Sequence, residues 1–306
     1  MSEAAGSGGL APGVHSVLAT PFAPDESLDE RSVATLIDYY VAAGVAGVLV
    51  LGVLGEADRL SDRERERVQA LAVEQAAGRV QVTAGATHAA TVVTAERARA
   101  AARGGASAVM VSPPSGTRAG PELRDHFRRV ADGLEIPVVV QDHPASSGVR
   151  MPEEFLAGLA AELPPGSVVK LEEPPTPAKT AALRQAAPGL PVFGGLGGTA
   201  LLHELEAGAE GTMTGFALPH LLVEIVEAHR AGDRERARRV FEAALPLLVF
   251  EAQPVVGLGV RKEILRRQGA IAGAAVRQPA PSVDARTLAA LDELLEAAAQ
   301  LEAPAS

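Results

Sequence analysis

The 306-residue chain contains no cysteine and no tryptophan, and aromatic residues make up only 3% of it. Without cysteine there can be no disulfide, no thiolate-bound zinc or iron–sulfur centre and no thiol nucleophile. The scarcity of aromatic side chains argues against a platform for stacking bases. A formal net charge of −10 argues against a surface that binds phosphate backbones. We therefore expect no nucleic-acid partner.

Signals for export or membrane insertion are also missing. The N-terminal segment has no basic stretch followed by an apolar one, so it does not resemble a signal peptide. The uncharged apolar run at residues 39–55 is shorter than the roughly 20 residues that a membrane helix needs, and glycines interrupt it. These features predict a cytoplasmic protein with no membrane partner.

A short apolar run alternates with an amphipathic helical pattern eight times along the chain. Near-continuous apolar runs are typical of parallel strands that are buried on both faces. Eight strand–helix units within residues 12–232 predict an α/β fold, the (β/α)8 TIM barrel. A doubly wound open sheet is the alternative, but no G-x-G-x-x-G motif follows the first strand. Residues 1–11 are expected to form a flexible tail and residues 233–302 a C-terminal helical appendage. The predicted strands are residues 14–19, 45–51, 80–84, 108–111, 137–141, 168–171, 191–193 and 211–214.

Lysine is rare in this chain: Lys170, Lys179 and Lys262 are the only three, and the other basic residues are arginine. An amine can lose its proton and act as a nucleophile, whereas the arginine guanidinium stays charged. Lys170 ends an apolar strand, and barrel enzymes carry their chemistry at strand ends. Desolvation there favours the neutral amine, which attacks a carbonyl and forms a Schiff base. The alternative is a structural ion pair of Lys170 with Glu172 or Glu173. Lys179 and Lys262 are expected to be solvated helix charges.

A set of short motifs resembles a known family. The motifs are Thr20-Pro21-Phe22, G-x-x-G-E at 52–56, Leu60-Ser61-x-x-Glu64-Arg65, Val-Val-Lys at 168–170, Pro144 with Gly148, Gly208-Ala209-x-Gly211 and Arg277-x-Pro279. In order and spacing they resemble the dihydrodipicolinate synthase/N-acetylneuraminate lyase family over residues 12–300. The resemblance implies a barrel that binds pyruvate or another small-molecule 2-oxo acid as an imine on Lys170. It also implies no metal, no cofactor other than this covalent imine, and a homotetramer.

The loop at 52–56 departs from the family pattern, which has two threonines where this chain has Val53 and Leu54. In the family, the threonine hydroxyls and the neighbouring amides hold the substrate carboxylate. Only the amides remain here, and amides alone can hold an anion. The carboxylate is therefore expected at the N–H groups of Leu54 and Gly55, and Glu56 is expected to brace the loop rather than to react.

The family's tyrosines are missing as well. Gln141 stands where a tyrosine relays protons above the imine, and the place of a second tyrosine falls near 114–115. Ser146 matches the arginine with which the synthases grip their substrate, which argues against dihydrodipicolinate synthesis. The glycine-rich segment 194–198 stands where the sialic-acid lyases have acidic residues, which argues against a long polyol substrate. A phosphate cradle is an alternative interpretation of that segment.

Glu172 is the expected proton carrier, because an extended strand places it on the same side as Lys170. An ion pair with an arginine is its alternative role. The other expected substrate-binding residues are Val53, Leu54, Gly55, Gln141, Asp142, His143, Gly195, Thr214 and Gly215. Gln141 can hydrogen-bond a substrate hydroxyl, whereas Asp142 and His143 are expected to assist rather than to catalyse.

The combination of Gly-x-x-Gly-Glu-Ala, Gln-Asp-x-Pro and Lys-Leu-Glu most resembles the branch of the family that contains 2-keto-3-deoxy sugar-acid dehydratases, the L-2-keto-3-deoxyarabonate type especially. In such a reaction the imine acidifies C3, a base removes that proton and the C4 hydroxyl leaves as water. One alternative is aldol cleavage or condensation through the same imine, with pyruvate released or consumed. A noncatalytic barrel that binds an oxo acid is the other.

Overall fold

Eight parallel strands form a closed barrel. The strands are β1 (Gly13–Val17), β2 (Gly47–Val50), β3 (Gln81–Gly85), β4 (Ala108–Val111), β5 (Val138–Asp142), β6 (Val168–Leu171), β7 (Val192–Gly194) and β8 (Gly211–Thr214). Each strand pairs with its neighbours in chain order, and β8 closes the barrel on β1. This computed structural model describes residues 8–302, with side chains as far as residue 297. The predicted TIM barrel is confirmed.

Helices surround the strands and extend beyond them at the C-terminal end. They are α1 (Glu30–Ala42), α2 (Asp62–Ala76), α3 (Thr91–Arg103), α4 (Pro121–Ala131), α5 (Pro144–Ser147), α6 (Glu153–Ala160), α7 (Thr176–Ala186), α8 (Leu201–Glu206), α9 (Pro219–Arg230), α10 (Arg234–Glu251), α11 (Gly257–Arg267) and α12 (Ala285–Glu302). The single turn α5 is absent from the sequence prediction. Pro144 begins it, and Gly148 ends it with a φ of 72° that favours glycine.

Alternation along each strand divides the apolar core into an inner and an outer layer. In β2 the side chain of Leu49 belongs to the cluster inside the barrel, whereas Val48 and Val50 belong to the cluster between the strands and the helices. Both faces of the strand are therefore buried, which explains why its sequence reads as a continuous apolar run.

The expected flexible tail 1–11 is too long. Residues 1–7 lie outside the described part of the chain. Leu10, however, is buried in the cluster inside the barrel. The backbone N–H of Ala11 donates to Oε1 of Gln81 on β3 at 2.7 Å. Leu10 therefore contributes its apolar surface to the barrel interior.

The C-terminal helices are joined closely to the barrel. The helix α10 packs against α8, α9, α11 and α12 and against a 3-10 turn, Leu196–Gly198, that follows β7. This contact brings the end of α10 and the start of α11 over the carboxyl ends of the strands, where barrel chemistry occurs. None of the helices within residues 8–302 is long and apolar enough to cross a membrane.

Candidate active site

A cavity of about 360 Å³ lies at the carboxyl ends of the strands. It is lined by Val17, Gly52, Val53, Leu54, Gln141, His143, Lys170, Glu172, Leu196, Gly197, Thr214, Glu251, Ala252, Gln253, Gly257, Leu258 and Arg261. Seven of the predicted site residues are among these. Four others do not line the cavity: Gly55, Asp142, Gly195 and Gly215.

Lys170 and Glu172 face each other in this cavity. Lys170 lies on β6, and Glu172 follows two residues later, so the extended backbone directs both side chains to one side. Nζ of Lys170 lies 3.3 Å from Oε2 of Glu172, and less than a tenth of either side chain is exposed. An amine that is largely shielded from solvent and lies beside a carboxylate can exchange a proton with it and attack a carbonyl carbon.

Two further groups fix the Glu172 carboxylate. Gln141 is the partner of Lys170 in the register of β5 and β6, and its Nε2 donates to Oε2 of Glu172 at 2.8 Å. The backbone N–H of Leu196 approaches the other oxygen, Oε1, at 3.5 Å. Gly195 makes room for this arrangement, because a Cβ there would overlap the Glu172 side chain. Gly195 therefore contacts Glu172 without lining the cavity.

The loop after β2 forms a 3-10 turn over Val53–Gly55. The N–H of Gly55 already donates to the carbonyl of Gly52 at 3.0 Å, so the expectation that it binds a carboxylate is wrong. The first N–H groups of a helical turn have no partner within it, and here they belong to Val53 and Leu54. Thr20 holds the turn through a hydrogen bond of 2.6 Å to the carbonyl of Gly55.

Glu56 braces this loop, as expected. Its buried carboxylate accepts Nζ of Lys262 at 2.5 Å and the backbone N–H of Arg277 at 2.9 Å. Lys262 also lies 4.5 Å from the ring centroid of Phe22. The expectation of a solvated Lys262 is therefore wrong: the side chain is fully buried, and burial lowers the pKa of its ammonium. Three of the motif residues, Phe22, Glu56 and Arg277, thus form one structural network with Lys262.

Asp142 points away from the cavity and into a second ionic cluster, so its predicted role in substrate binding is wrong. Its Oδ2 accepts Nζ of Lys179 at 2.6 Å, and Lys179 also donates to Glu173 at 2.5 Å. Alternation along β5 explains this orientation, since Gln141 faces inward and its neighbour must face outward. Burial raises the pKa of Asp142 to about 6, although Lys179 opposes the shift. Lys179 is buried too, contrary to the expected solvated charge.

The remaining predicted residues lie on the rim or behind it. His143 lines the cavity, and its buried Nδ1 has no hydrogen-bond partner among the described residues. Thr214, at the end of β8, also lines it, while Gly215 lies just behind against the guanidinium of Arg261. Tyr39 and Tyr40 lie in α1, outside the cavity lining.

The C-terminal helices contribute charged residues to the cavity that the sequence patterns did not predict. Glu251 ends α10 and Arg261 lies on α11, and both line the cavity. Burial raises the pKa of Glu251, and the charge of Arg261 opposes this shift. The sequence does contain one feature that could have indicated these two residues: each is a charged residue next to apolar ones, in Val249-Phe250-Glu251 and Gly259-Val260-Arg261. The strand-end pattern could not point to these residues, because they follow the eighth repeat.

A buried carboxyl group also lies behind β7. Oε1 of Glu204 accepts the hydroxyl of Thr176 at 2.5 Å, whereas Oε2 has no partner among the described residues. Burial raises the pKa of Glu204 to about 7, and the charge of Glu172 adds to the shift. Glu204 is thus linked electrostatically to the candidate site without lining its cavity.

A second cavity, of about 550 Å³, adjoins the first and shares Gly52, Val53 and Gln141 with it. Ser146 and the segment 112–115 line this second cavity, so both lie beside Gln141 but outside the space around Lys170. Within the described residues, no group of three His, Asp or Glu side chains has the spacing to hold a metal ion.

Comparison with known proteins identifies the family of this chain. Residues 11–298 match the model of the Dihydrodipicolinate synthetase family. The chain is 34% identical over 297 residues to the L-2-keto-3-deoxyarabonate dehydratase of Azospirillum brasilense, covering 95% of this chain and 94% of that one. The crystal structure of dihydrodipicolinate synthase from Rhodopseudomonas palustris superposes with a TM-score of 0.88 at 33% identity, covering 94% of this chain and 97% of that one. A prophage protein from E. coli K12 of the same family, solved in complex with pyruvate, has a TM-score of 0.87 at 26% identity and covers 95% and 98%. The chain therefore belongs to the dihydrodipicolinate synthetase family, whose members are lyases that include dehydratases and synthases.

Proposed function

We propose that this protein is a Schiff-base lyase that removes water from a short 2-keto-3-deoxy sugar acid. One observation carries the proposal: the buried amine of Lys170 lies 3.3 Å from the carboxylate of Glu172 in a cavity at the strand ends. The similarity to a ketodeoxyarabonate dehydratase over nearly the whole chain supports this choice of reaction.

The first chemical step is imine formation on Lys170. The neutral amine attacks C2 of the 2-oxo acid, and the oxo oxygen leaves as water. Val53 and Leu54 line the cavity, and we assign their N–H groups to the carboxylate at C1. The resulting iminium withdraws electrons from C3, which makes a C3 proton acidic.

The second step moves a proton between the substrate and Glu172. The carboxylate takes a proton from C3 and leaves an enamine, whose electrons expel the C4 hydroxyl. A proton returned by Glu172 lets that hydroxyl leave as water. Gln141 holds Glu172 by a hydrogen bond of 2.8 Å, and we assign Gln141, His143 and Thr214 to the substrate hydroxyls. Hydrolysis of the imine then frees Lys170, so the net change is the loss of one water and needs no metal.

Aldol cleavage through the same imine is the second candidate. It breaks the bond between C3 and C4 instead of the bond between C4 and its oxygen, and the same two residues serve it. Dihydrodipicolinate synthesis is a weaker candidate, although a synthase is among the similar structures. Ser146 cannot form the bidentate grip on a carboxylate that an arginine forms, and the cavity has no tyrosine among its lining residues. A homotetramer is also proposed, by resemblance to the family.

The experiment combines trapping of the imine with analysis of the product. Borohydride with pyruvate should add a reduced adduct to Lys170, which mass spectrometry of peptides locates. The protein should convert a 2-keto-3-deoxy pentonate or hexonate with its carbon chain intact. Release of pyruvate and an aldehyde would establish the aldolase instead. Robust turnover of pyruvate with aspartate semialdehyde, or full activity without any adduct on Lys170, would overturn the proposal.

A further inference from the structure

Arg261 and Glu251 form a buried ion pair in the wall of the cavity. Arg261 donates its Nε–H to Oε1 of Glu251. The other oxygen of that carboxylate accepts the backbone N–H of Ala217 at 3.0 Å. The two side chains are only 3% and 1% exposed. Because Glu251 is fixed from two directions, it holds the guanidinium in one orientation.

One donor of that guanidinium is left over. Nη1 of Arg261 is buried and has no hydrogen-bond partner among the described residues. It lies against Gly215: a Cβ on residue 215 would overlap Nη1 and come within 3.0 Å of Cδ1 of Leu54. Arg261 and Leu54 both line the cavity. Buried donors normally have partners, so a charged donor without one in a cavity wall indicates a place for a ligand.

The N–H donors without a partner favour an anion at this place. The charged side chains of the cavity form two pairs that offset each other, Lys170 with Glu172 and Arg261 with Glu251, so the wall offers an anion N–H donors rather than a net positive charge. A second group of donors is formed by the backbone N–H groups of Val53 and Leu54, which begin a 3-10 turn. The first N–H of this turn that has a partner within it is that of Gly55. The Leu54 side chain and Nη1 of Arg261 both approach Gly215, so the charged donor and the residue that begins the turn border on the same part of the wall.

We propose that Nη1 of Arg261 binds the carboxylate of the 2-oxo acid, and that Glu251 positions Arg261 for this contact. The inference rests on the proposed function, because the carboxylate is that of the substrate bound to Lys170. Val53 and Leu54 have no hydroxyl to offer, and a charged N–H donor binds a carboxylate more strongly than a neutral hydroxyl does. Gly215 is required in this arrangement, since any side chain there would displace Nη1.

The test compares a charged ketone with an uncharged one. Pyruvate and methyl pyruvate each form an imine that cyanoborohydride traps, but only pyruvate carries a carboxylate. In Arg261→Met, the pyruvate concentration needed for half-maximal labelling should rise roughly 10- to 100-fold, the range of a charged hydrogen bond. The value for methyl pyruvate should change by less than about 3-fold. Arg261→Lys, which keeps the charge but not the planar fork, should give an intermediate effect on pyruvate.

Further variants separate binding from folding. Arg261→Met leaves Glu251 buried without its partner, so Arg261→Met/Glu251→Gln removes both charges and should show the same selective loss. Arg67→Met, which removes an exposed pair with Glu30, should leave both ketones unchanged. Equal losses for the two ketones in the folded double variant would overturn the proposal. The proposal would also be overturned if labelling by pyruvate were unchanged while the KM for longer substrates rose, because Arg261 would then bind the far end of the substrate chain.

Failure of the proposed function is a separate outcome. If the wild-type protein is not labelled at Lys170, the proposed function fails. Calorimetric measurement of pyruvate binding to wild type and to Arg261→Met then still decides the role of Arg261.

Discussion

Oε2 of Glu172 lies 3.3 Å from Nζ of Lys170 and accepts a hydrogen bond of 2.8 Å from Gln141. The same carboxylate oxygen therefore faces the amine and is held by a neutral amide. Glutamine cannot carry a proton through its amide, so in this site it can orient the carboxylate but not replace it.

Glu172→Gln separates imine formation from turnover. The variant keeps the shape of the side chain but cannot take a proton from C3. We expect labelling of Lys170 by pyruvate and borohydride to persist, while kcat falls roughly 10²- to 10⁴-fold, the usual contribution of general acid–base catalysis. Glu206→Gln, on the exposed part of α8, is the matched control. A fully active Glu172→Gln enzyme would assign the proton transfer to another group, His143 or a water.

Gly195→Ala tests how closely the chain after β7 approaches Glu172. The φ and ψ of Gly195 are −151° and −128°, and this ψ lies outside the β and α regions of L-residues, so alanine also strains the backbone here. The added Cβ would overlap Glu172 and move its carboxylate. We expect a large loss of kcat, together with a lower temperature of unfolding, in a protein that still folds. Gly189→Ala, where a Cβ meets no atom within 4 Å, should behave as wild type. Wild-type activity of Gly195→Ala would show that Glu172 tolerates displacement.

Lys179→Met should destabilise the fold rather than impair the chemistry. It leaves the carboxylate of Asp142, fully buried on β5, without its cation. Breaking a buried pair costs about 3–5 kcal/mol, which urea unfolding can measure. The double variant Lys179→Met/Asp142→Asn should recover part of this loss. Arg67→Met at the surface should cost less than about 1 kcal/mol. A Lys179→Met protein as stable as that control would contradict the assignment.

The buried carboxyl group of Glu204 should make stability depend on pH. Its pKa in the folded protein is about 7, raised from 4.5 chiefly by burial. Below pH 4.5 the group is protonated in both states and has no effect. Between these values only the unfolded chain releases the proton, so stability falls as the pH rises through about 7. The loss is roughly 3 kcal/mol at high pH.

Urea unfolding at a series of pH values measures this contribution. Wild type and Glu204→Gln should differ in the pH dependence of the free energy of unfolding. The glutamine variant should lack the part of the decline that lies between pH 4.5 and 7. Parallel curves for the two proteins would contradict the raised pKa.

The sequence by itself determined the barrel and its central amine. Apolar runs that recur eight times with amphipathic segments between them have few ways to bury both faces of every strand. The short distance between Lys170 and Glu172 also follows from local structure, since residues two positions apart in an extended strand lie on the same side. The family motifs identified the same strand end.

Tertiary structure decided the role of the other lysines. By its local pattern Lys262 resembles a surface charge, yet its partner, Glu56, lies 206 positions away in the chain. Lys179 likewise finds Asp142, 37 positions away on β5. The pattern of residues within a helix does not show where a carboxylate from a distant part of the chain will lie. Whether a charge on a helix is solvated or buried depends on what the helix packs against.

The wall of the cavity was decided in the same way. From the strand-end pattern, the last predicted site residues lie at the end of the eighth strand. In the structure, α10 and α11 fold back over the strand ends and add Glu251 and Arg261 to the cavity wall. The packing of α10 on the turn after β7 sets that placement, and packing of this kind depends on side chains far apart in the chain. The sequence therefore determined which residue can form the imine, and only the folded chain decided which charges surround it.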